Sequence, residues 1–140
     1  MILAFDTAGP VVGVALQCGG DVDVRMERIA RGAETRLVPW ALELLSLRGA
    51  SRSDIIGVGV AVGPGAFTGI RVGLATASGL ATGLGVPLWA GSSLESRARR
   101  AGAAGQVLSM LDARKGRVYA ALYRDGVRIE GPADVAPEVA

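Results

Sequence analysis

Residues 55–90, IIGVGVAVGPGAFTGIRVGLATASGLATGLGVPLWA, constrain the fold more than any other stretch of the chain. An apolar run of strand length enters a Gly-Pro-Gly loop, a helical segment of about Gly69 to Leu84 follows, and "VPLWA" reads as a turn into another strand. Two apolar strands bracketing a helix imply a crossover in a parallel pair. Arg71 is the one charge in the stretch, which marks these elements for burial. The uncharged interval Val72–Leu94 is long enough to cross a bilayer, but five glycines, Pro87 and several Ser and Thr favour a buried helix followed by a strand.

The preceding residues supply the rest of a mixed sheet. "ILAFDTA", "VVGVALQ" and "DVDVRMERIA" are apolar or alternating runs separated by Gly-Pro and Gly-Gly turns, an antiparallel meander in which Val22, Val24 and Met26 share a face. Ala33 to Leu47 reads as a helix. At 100° per residue its apolar positions span an arc of about 220°, wider than the roughly 100° needed to lie on one sheet. The excess, centred on Trp40, Leu44 and Leu47, must face either a deeper core or a partner helix. "SLESRARRAG" is a short basic helix at a boundary between residues 1–100 and 101–140. "QVLSMLDAR" and "GRVYAALYRDG" form a hairpin turned by "KG", and "PADVAPEVA" is where a further helix would start.

Composition narrows the chemistry. In 140 residues there is no His, which excludes imidazole metal sites and nucleophiles activated by His. The lone Cys18 rules out a disulfide framework and, with no basic leader before the first apolar run, suits the reducing cytoplasm. A net charge of +2 gives no field that argues for nucleic acid or membrane.

The Gly-Pro-Gly loop fails two phosphate-loop templates. Gly69 is followed by Ile70-Arg71 where a P-loop has Lys-Ser/Thr, and Thr68 stands where the third glycine of a dinucleotide fingerprint belongs. Two readings stay open: a tight reversal with Thr68 capping the next helix, or an anion site built from Gly63, Gly65 and Thr68. Asp6-Thr7 at a strand end is an Asx turn or a holder of magnesium-bound phosphate. Asp112, Arg114, Lys115, Arg117 and Tyr119 gather at a hairpin, as solvated turn charges or as a site. In the long helix Gly69, Gly73 and Ala77 recur every four residues, as do Gly79 and Gly83. Each glycine costs a helix roughly 0.5–1 kcal/mol, tolerated where another backbone comes close, in the same chain or in a partner.

"FDTA", "GVGVAVGPGAFTGIRVGLATASGLA" and "LDARKGRVY", in this order and spacing, resemble the bacterial TsaB (YeaZ) family across essentially the whole chain. The resemblance implies an α/β fold, an actin-like (ASKHA, ribonuclease H-like) lobe with a mixed sheet followed by the start of a second, related lobe. It implies a part in making N6-threonylcarbamoyladenosine at tRNA position 37, as a non-catalytic subunit that pairs with and activates a TsaD-type paralogue. A TsaE-type ATPase joins that assembly, tRNA is touched indirectly, and the subunit homodimerises in isolation. No cofactor is implied on this chain. The competing expectation is an actin-like ATPase or sugar kinase using Asp6 for magnesium and the Gly63–Gly65 loop for the phosphates of ATP. The family interface maps to the two first-lobe helices. Trp40, Leu44, Leu47, Arg71, Gly73 and Ala77 are therefore the expected contacts, and Trp40→Arg or Gly73→Leu is expected to abolish association while leaving the lobe folded. Members usually continue through a second lobe about as large as the first, so residues 101–140 are expected to form an incomplete one. They also often carry His or another polar residue where this chain has Glu34.

Overall fold

The structure, a computed structural model, describes residues 1–102 and 104–137. The chain divides into two compact units, Met1–Val62 with Ala66–Ala90, and Gly63–Gly65 with Gly91–Ala140.

The first unit opens with the meander β1 (Ile2–Asp6), β2 (Val11–Cys18) and β3 (Asp21–Arg28). A helix α1 (Leu37–Leu47) leads to β4 (Gly57–Ala61), which pairs parallel to β1. Helix α2 (Phe67–Leu84) then connects β4 to β5 (Leu88–Gly91), completing the sheet order β3-β2-β1-β4-β5. Alternation along the strands places Leu3, Phe5, Val12, Val14, Leu16, Val58 and Val60 on one face. Both helices cover that face, α1 through Leu37, Ala41, Leu44 and Leu45, and α2 through Ala77 and Ala81. Each fully buried large aliphatic contributes about 1.5–3 kcal/mol, so this layer is what stabilises the unit. Val22, Val24 and Met26 do share a face of β3, but it is the opposite one, and all three are exposed.

Helix α1 starts four residues later than its periodicity suggests. Gly32 adopts a left-handed φ of 83°, Thr35 Oγ1 donates to Gly32 O at 2.8 Å, and Ala33–Thr35 form a separate 3-10 turn carrying the exposed Glu34. Pro39 is tolerated because it lies in the first turn of α1, where its missing N–H has no carbonyl to meet. Ion pairs pin the helix to the edge strand: Arg25 of β3 to Glu43 of α1, and Arg48, just past the helix, to Asp21 and Asp23.

In the second unit, helix α3 (Ser93–Ala101) is capped by Ser92, whose Oγ accepts from Glu95 N, and ended by Gly102 in a left-handed conformation. Its Leu94 and Ala98 pack on Ala121 and Tyr123 of a three-stranded sheet, β6 (Gln106–Arg114), β7 (Arg117–Arg124) and β8 (Val127–Val135). Helix α3 thus goes with the sheet that follows it, rather than with residues 1–90. The expected β6–β7 hairpin is present, with Arg114 and Lys115 at φ of 66° and 55° ahead of Gly116. The helix expected to begin at Pro132 is instead strand through Val135, and residues 138–140 lie outside the described residues. No described helix is long and apolar enough to cross a membrane.

Candidate functional site

The glycines of α2 divide into two sets with different surroundings. Gly69 and Gly73 lie against the end of β1: a Cβ built on Gly69 would strike the carbonyl oxygen of Thr7, and one on Gly73 would strike Thr7 Oγ1. Thr7 is buried, and its Oγ1 donates to Gly69 O at 2.7 Å. The notch in the helix is therefore filled by a side chain of the same unit. Gly79 and Gly83 are exposed, and a Cβ on either would meet nothing within 4 Å.

This distribution sorts the six expected contact residues. Leu44 is 1% exposed, Ala77 is fully buried and Gly73 is buried against Thr7, so these three belong to the unit's own core and offer no surface to a partner. The four-residue recurrence at 69, 73 and 77 arises from packing on the chain's own sheet. Trp40 is half-buried, its ring packed on the edge of the core. Leu47, 64% exposed, and Arg71 lie at the surface.

The sequence reading missed the most exposed large apolar side chain of the unit, Phe67 at 69%. The Arg71 guanidinium lies over its ring, 4.3 Å from the centroid, a cation–π pair one turn into α2. Leu74, exposed, and Ser78 continue the same stripe at i, i+4, i+7 and i+11. On α1, Val38 and Leu42 are exposed one turn apart. The two helices touch one another on the same face of the sheet, so their outer surfaces form one side of the unit. The signal was legible as spacing, since 67, 71, 74 and 78 fall on one helical stripe.

The alternative phosphate groups are each engaged locally. Asp6 Oδ1 accepts from Ala8 N at 2.9 Å, the Asx turn. Thr68 does not cap α2: the cap position is Ala66, which has no side-chain oxygen, and Thr68 is the second helical residue, exposed. Ala66 N donates to Ala8 O at 2.7 Å, which fixes the start of the helix on the β1–β2 turn. Gly63 O accepts from Ser93 N at 2.9 Å, and Gly65 follows a cis Gly63–Pro64 bond. At the β6–β7 hairpin Asp112 Oδ1 accepts from Arg114 N, and Arg117 pairs with Asp134, while Tyr119 packs beside the α3 cluster. Among the described residues no three His, Cys, Asp or Glu side chains gather in a group that suits a metal ion.

A meander joined by a crossover to a parallel strand, with both helices on one face, defines an actin-like, ribonuclease H-like α/β lobe. The family model described as TsaD, tRNA N6-adenosine threonylcarbamoyltransferase, matches residues 25–138. The tRNA threonylcarbamoyladenosine biosynthesis protein TsaB of Escherichia coli (strain K12) is 39% identical over 126 residues, 88% of this chain and 54% of that protein. TsaB of Bacillus subtilis (strain 168) is 34% identical over 125 residues, 88% of this chain and 55% of its own length. The solved structure of YeaZ from Pseudomonas aeruginosa superimposes with a TM-score of 0.88 at 34% identity, covering 97% of this chain and 67% of the YeaZ chain. Within the class that the TsaD model defines, the chain belongs to the TsaB/YeaZ family. It spans about half the length of the curated relatives it matches.

Proposed function

We propose that this chain acts in tRNA N6-threonylcarbamoyladenosine biosynthesis as a non-catalytic, activating subunit that docks on a TsaD-type transferase. The single observation that supports this reading is the outer surface of α1 and α2, where Phe67, Leu74, Val38, Leu42 and Leu47 are exposed beside the unhindered Gly79 and Gly83. Exposed apolar side chains grouped on one side of a unit mark an interaction surface. The Arg71–Phe67 pair has the composition of an interface anchor. Small residues at 75, 78, 79, 82 and 83 let a partner helix approach the backbone of α2.

In this reading the transfer chemistry resides in the partner, tRNA is reached through the assembly, and a TsaE-type ATPase joins it in the cytoplasm. Alone, the chain uses the same helix surface to homodimerise. The test is co-purification with the TsaD-type paralogue of the same genome, scored with modification activity. Leu47→Arg and Leu74→Arg change exposed positions, so the circular dichroism spectrum is expected to stay native while partner recovery falls at least tenfold. Gly73→Leu is unsuitable for this purpose, because the side chain would collide with Thr7 inside the unit. Undiminished recovery with both exposed-site variants refutes the interface. Stoichiometric Mg-ATP binding that Asp6→Ala removes would favour a nucleotide-dependent enzyme instead.

A further inference from the structure

Among the described residues three hairpins close with two-residue loops, and one of them departs from the chemistry such loops require. One or both loop residues take positive φ, so glycine, asparagine or aspartate ordinarily fills them. Between β2 and β3 the loop is Gly19-Gly20, closed by the pair Cys18–Asp21. Between β7 and β8 it is Asp125-Gly126, closed by Arg124–Val127. Between β6 and β7 it is Lys115-Gly116, with φ of 55° and 72°, closed by Arg114–Arg117. Arg114 lies beside the register shift that follows Asp112 and is itself at φ 66°, where a bulge ordinarily has glycine.

Two long cationic side chains thus occupy left-handed backbone, which crowds a Cβ against the following carbonyl. The closing pair adds a second conflict, because like charges directly opposite across a ladder repel. No packing offsets either cost, since Arg114, Lys115, Gly116 and Arg117 are all exposed. Residues that oppose the local fold without a packing gain mark function.

Charge in the chain is uneven in the same sense. Residues 1–90 carry seven basic and seven acidic side chains, and residues 91–140 carry eight and six. The two carboxylates at the hairpin are already engaged. Asp112 Oδ1 accepts from Arg114 N at 2.7 Å, and Asp134 Oδ1 accepts from Arg117 Nε at 2.7 Å. Arg117 also donates to Asp134 O, which fixes the orientation of its guanidinium. Arg114 and Lys115, the latter the chain's single lysine, form no ion pair among the described residues.

We propose that the β6–β7 hairpin is a finger that contacts the phosphate backbone of RNA, with Arg114 and Lys115 as the contacting cations and Arg117 as an oriented third. The identity of the polyanion rests on the tRNA-modification reading above, and the finger gives this chain a contact of its own beside those made through the assembly. Guanidinium and ammonium groups are donors only, which suits phosphate oxygens and reads backbone rather than sequence. Between Arg114 and Arg117 stand only Lys115 and Gly116, so the tip has no apolar side chain to enter a lipid interface.

The test sets stability against binding. Arg114→Gly combined with Lys115→Asn supplies a glycine bulge and an Asn-Gly loop, so the double variant is expected to melt above the parent chain. Its affinity for an unmodified tRNA transcript is measured by fluorescence anisotropy on the chain co-purified with the TsaD-type paralogue. That affinity is expected to fall roughly tenfold, and the slope of log affinity against log salt to shrink by about 1 for each cation removed. Arg52→Gln, at an exposed cation of the first unit, is expected to change neither. On the parent protein the transcript is expected to shield Lys115 from acetylation by an amine-reactive ester, a signal that no other lysine can give. Undiminished affinity in the double variant, or Lys115 equally reactive with and without RNA, overturns the proposal. A double variant that melts lower removes the conflict on which the assignment stands and overturns it too. So does an equal loss with Arg52→Gln, which would mean bulk charge alone. Loss of binding to phosphatidylserine vesicles with RNA affinity intact would assign the finger to a membrane instead. If no complex with the paralogue forms, the docking reading fails by itself, and the anisotropy and acetylation arms on the chain alone decide the hairpin separately.

Discussion

Replacing Gly73 by alanine tests the packing at the centre of the unit, because two effects of opposite sign meet there. In an unobstructed helix the change stabilises by roughly 0.5–1 kcal/mol, since glycine loses more backbone entropy on folding. At this position the new Cβ would sit inside 3.0 Å of Thr7 Oγ1, with Thr7 Cβ and Cγ2 at 3.4 and 3.5 Å. Either the end of β1 shifts, an overpacking cost of about 1–3 kcal/mol, or Thr7 rotates. Rotation forfeits the bond to Gly69 O and leaves a buried hydroxyl unpaired, again about 1–3 kcal/mol. The clash outweighs the propensity gain, and Gly73→Ala is expected to destabilise the chain by about 1–2 kcal/mol.

The control is Thr7→Ala, which removes the obstructing hydroxyl and leaves only the ordinary Cβ contact at 3.4 Å. In the Thr7→Ala background, Gly73→Ala is expected to stabilise by about 0.5–1 kcal/mol, the intrinsic helix effect. The coupling across the cycle is then about 2 kcal/mol, well above the 0.3–0.5 kcal/mol scatter of independent sites. Urea unfolding followed at 222 nm measures all four proteins. If Gly73→Ala shifts stability equally in both backgrounds, the Thr7 notch is not what requires glycine at 73.

The exposed glycines of α2 should respond in the opposite sense. Gly79→Ala and Gly83→Ala meet nothing within 4 Å, so each is expected to raise the thermal midpoint through about 0.5–1 kcal/mol of helix propensity. Acid stability follows from three carboxylates held below their ordinary range: Asp23 by its bond from Arg48, Glu43 by its bond from Arg25, and Asp54 by the backbone N–H and hydroxyl of Ser51. A lowered folded-state pKa contributes stability that is present above the unfolded value, near pH 4, and is lost as the pH falls through the folded value. The urea midpoint should therefore be insensitive to these groups from neutrality to about pH 5 and drop below about pH 4, and Asp23→Asn with Glu43→Gln should flatten that drop. A decline of the same steepness in the double variant would mean that the β3–α1 ion pairs do not control it.

Much of the first unit was legible because its strands obey one simple rule. The meander and β4 alternate or run apolar between glycine turns, and the register that forms buries every second residue beneath two helices. Two element errors have local causes. The start of α1 was obscured because Ala33–Thr35 lie one turn outside the helix after left-handed Gly32. Strand β8 was hidden by Gly131-Pro132, which reads as a break. Proline is accommodated there because β8 is the edge of the order β6-β7-β8, and the register shifts between Ala120 and Leu122.

The candidate site was legible only in part, and the glycines show why. A four-residue recurrence states that small residues line one side of a helix, but not what stands opposite them. For Gly69 and Gly73 the neighbour is Thr7, more than sixty residues earlier in the chain, brought there by the parallel pairing of β1 with β4. The pair at 79 and 83 has the same spacing and no neighbour. Periodicity is identical in the two cases, and the difference lies entirely in tertiary placement. The same limit applies to α1: a 220° apolar arc is too wide for one sheet, yet of the residues Trp40, Leu44 and Leu47 on which the excess was centred, Leu44 is buried and Trp40 half-buried, and the exposed apolar side chains emerge on the flanks, at Val38 and Leu42 on one side and Leu47 on the other. The proposed interface on these helices is therefore placed on residues that flank the buried stripe. Substitutions at the centre of the stripe are expected to report on folding, while those at 47, 67 and 74 test the proposed association.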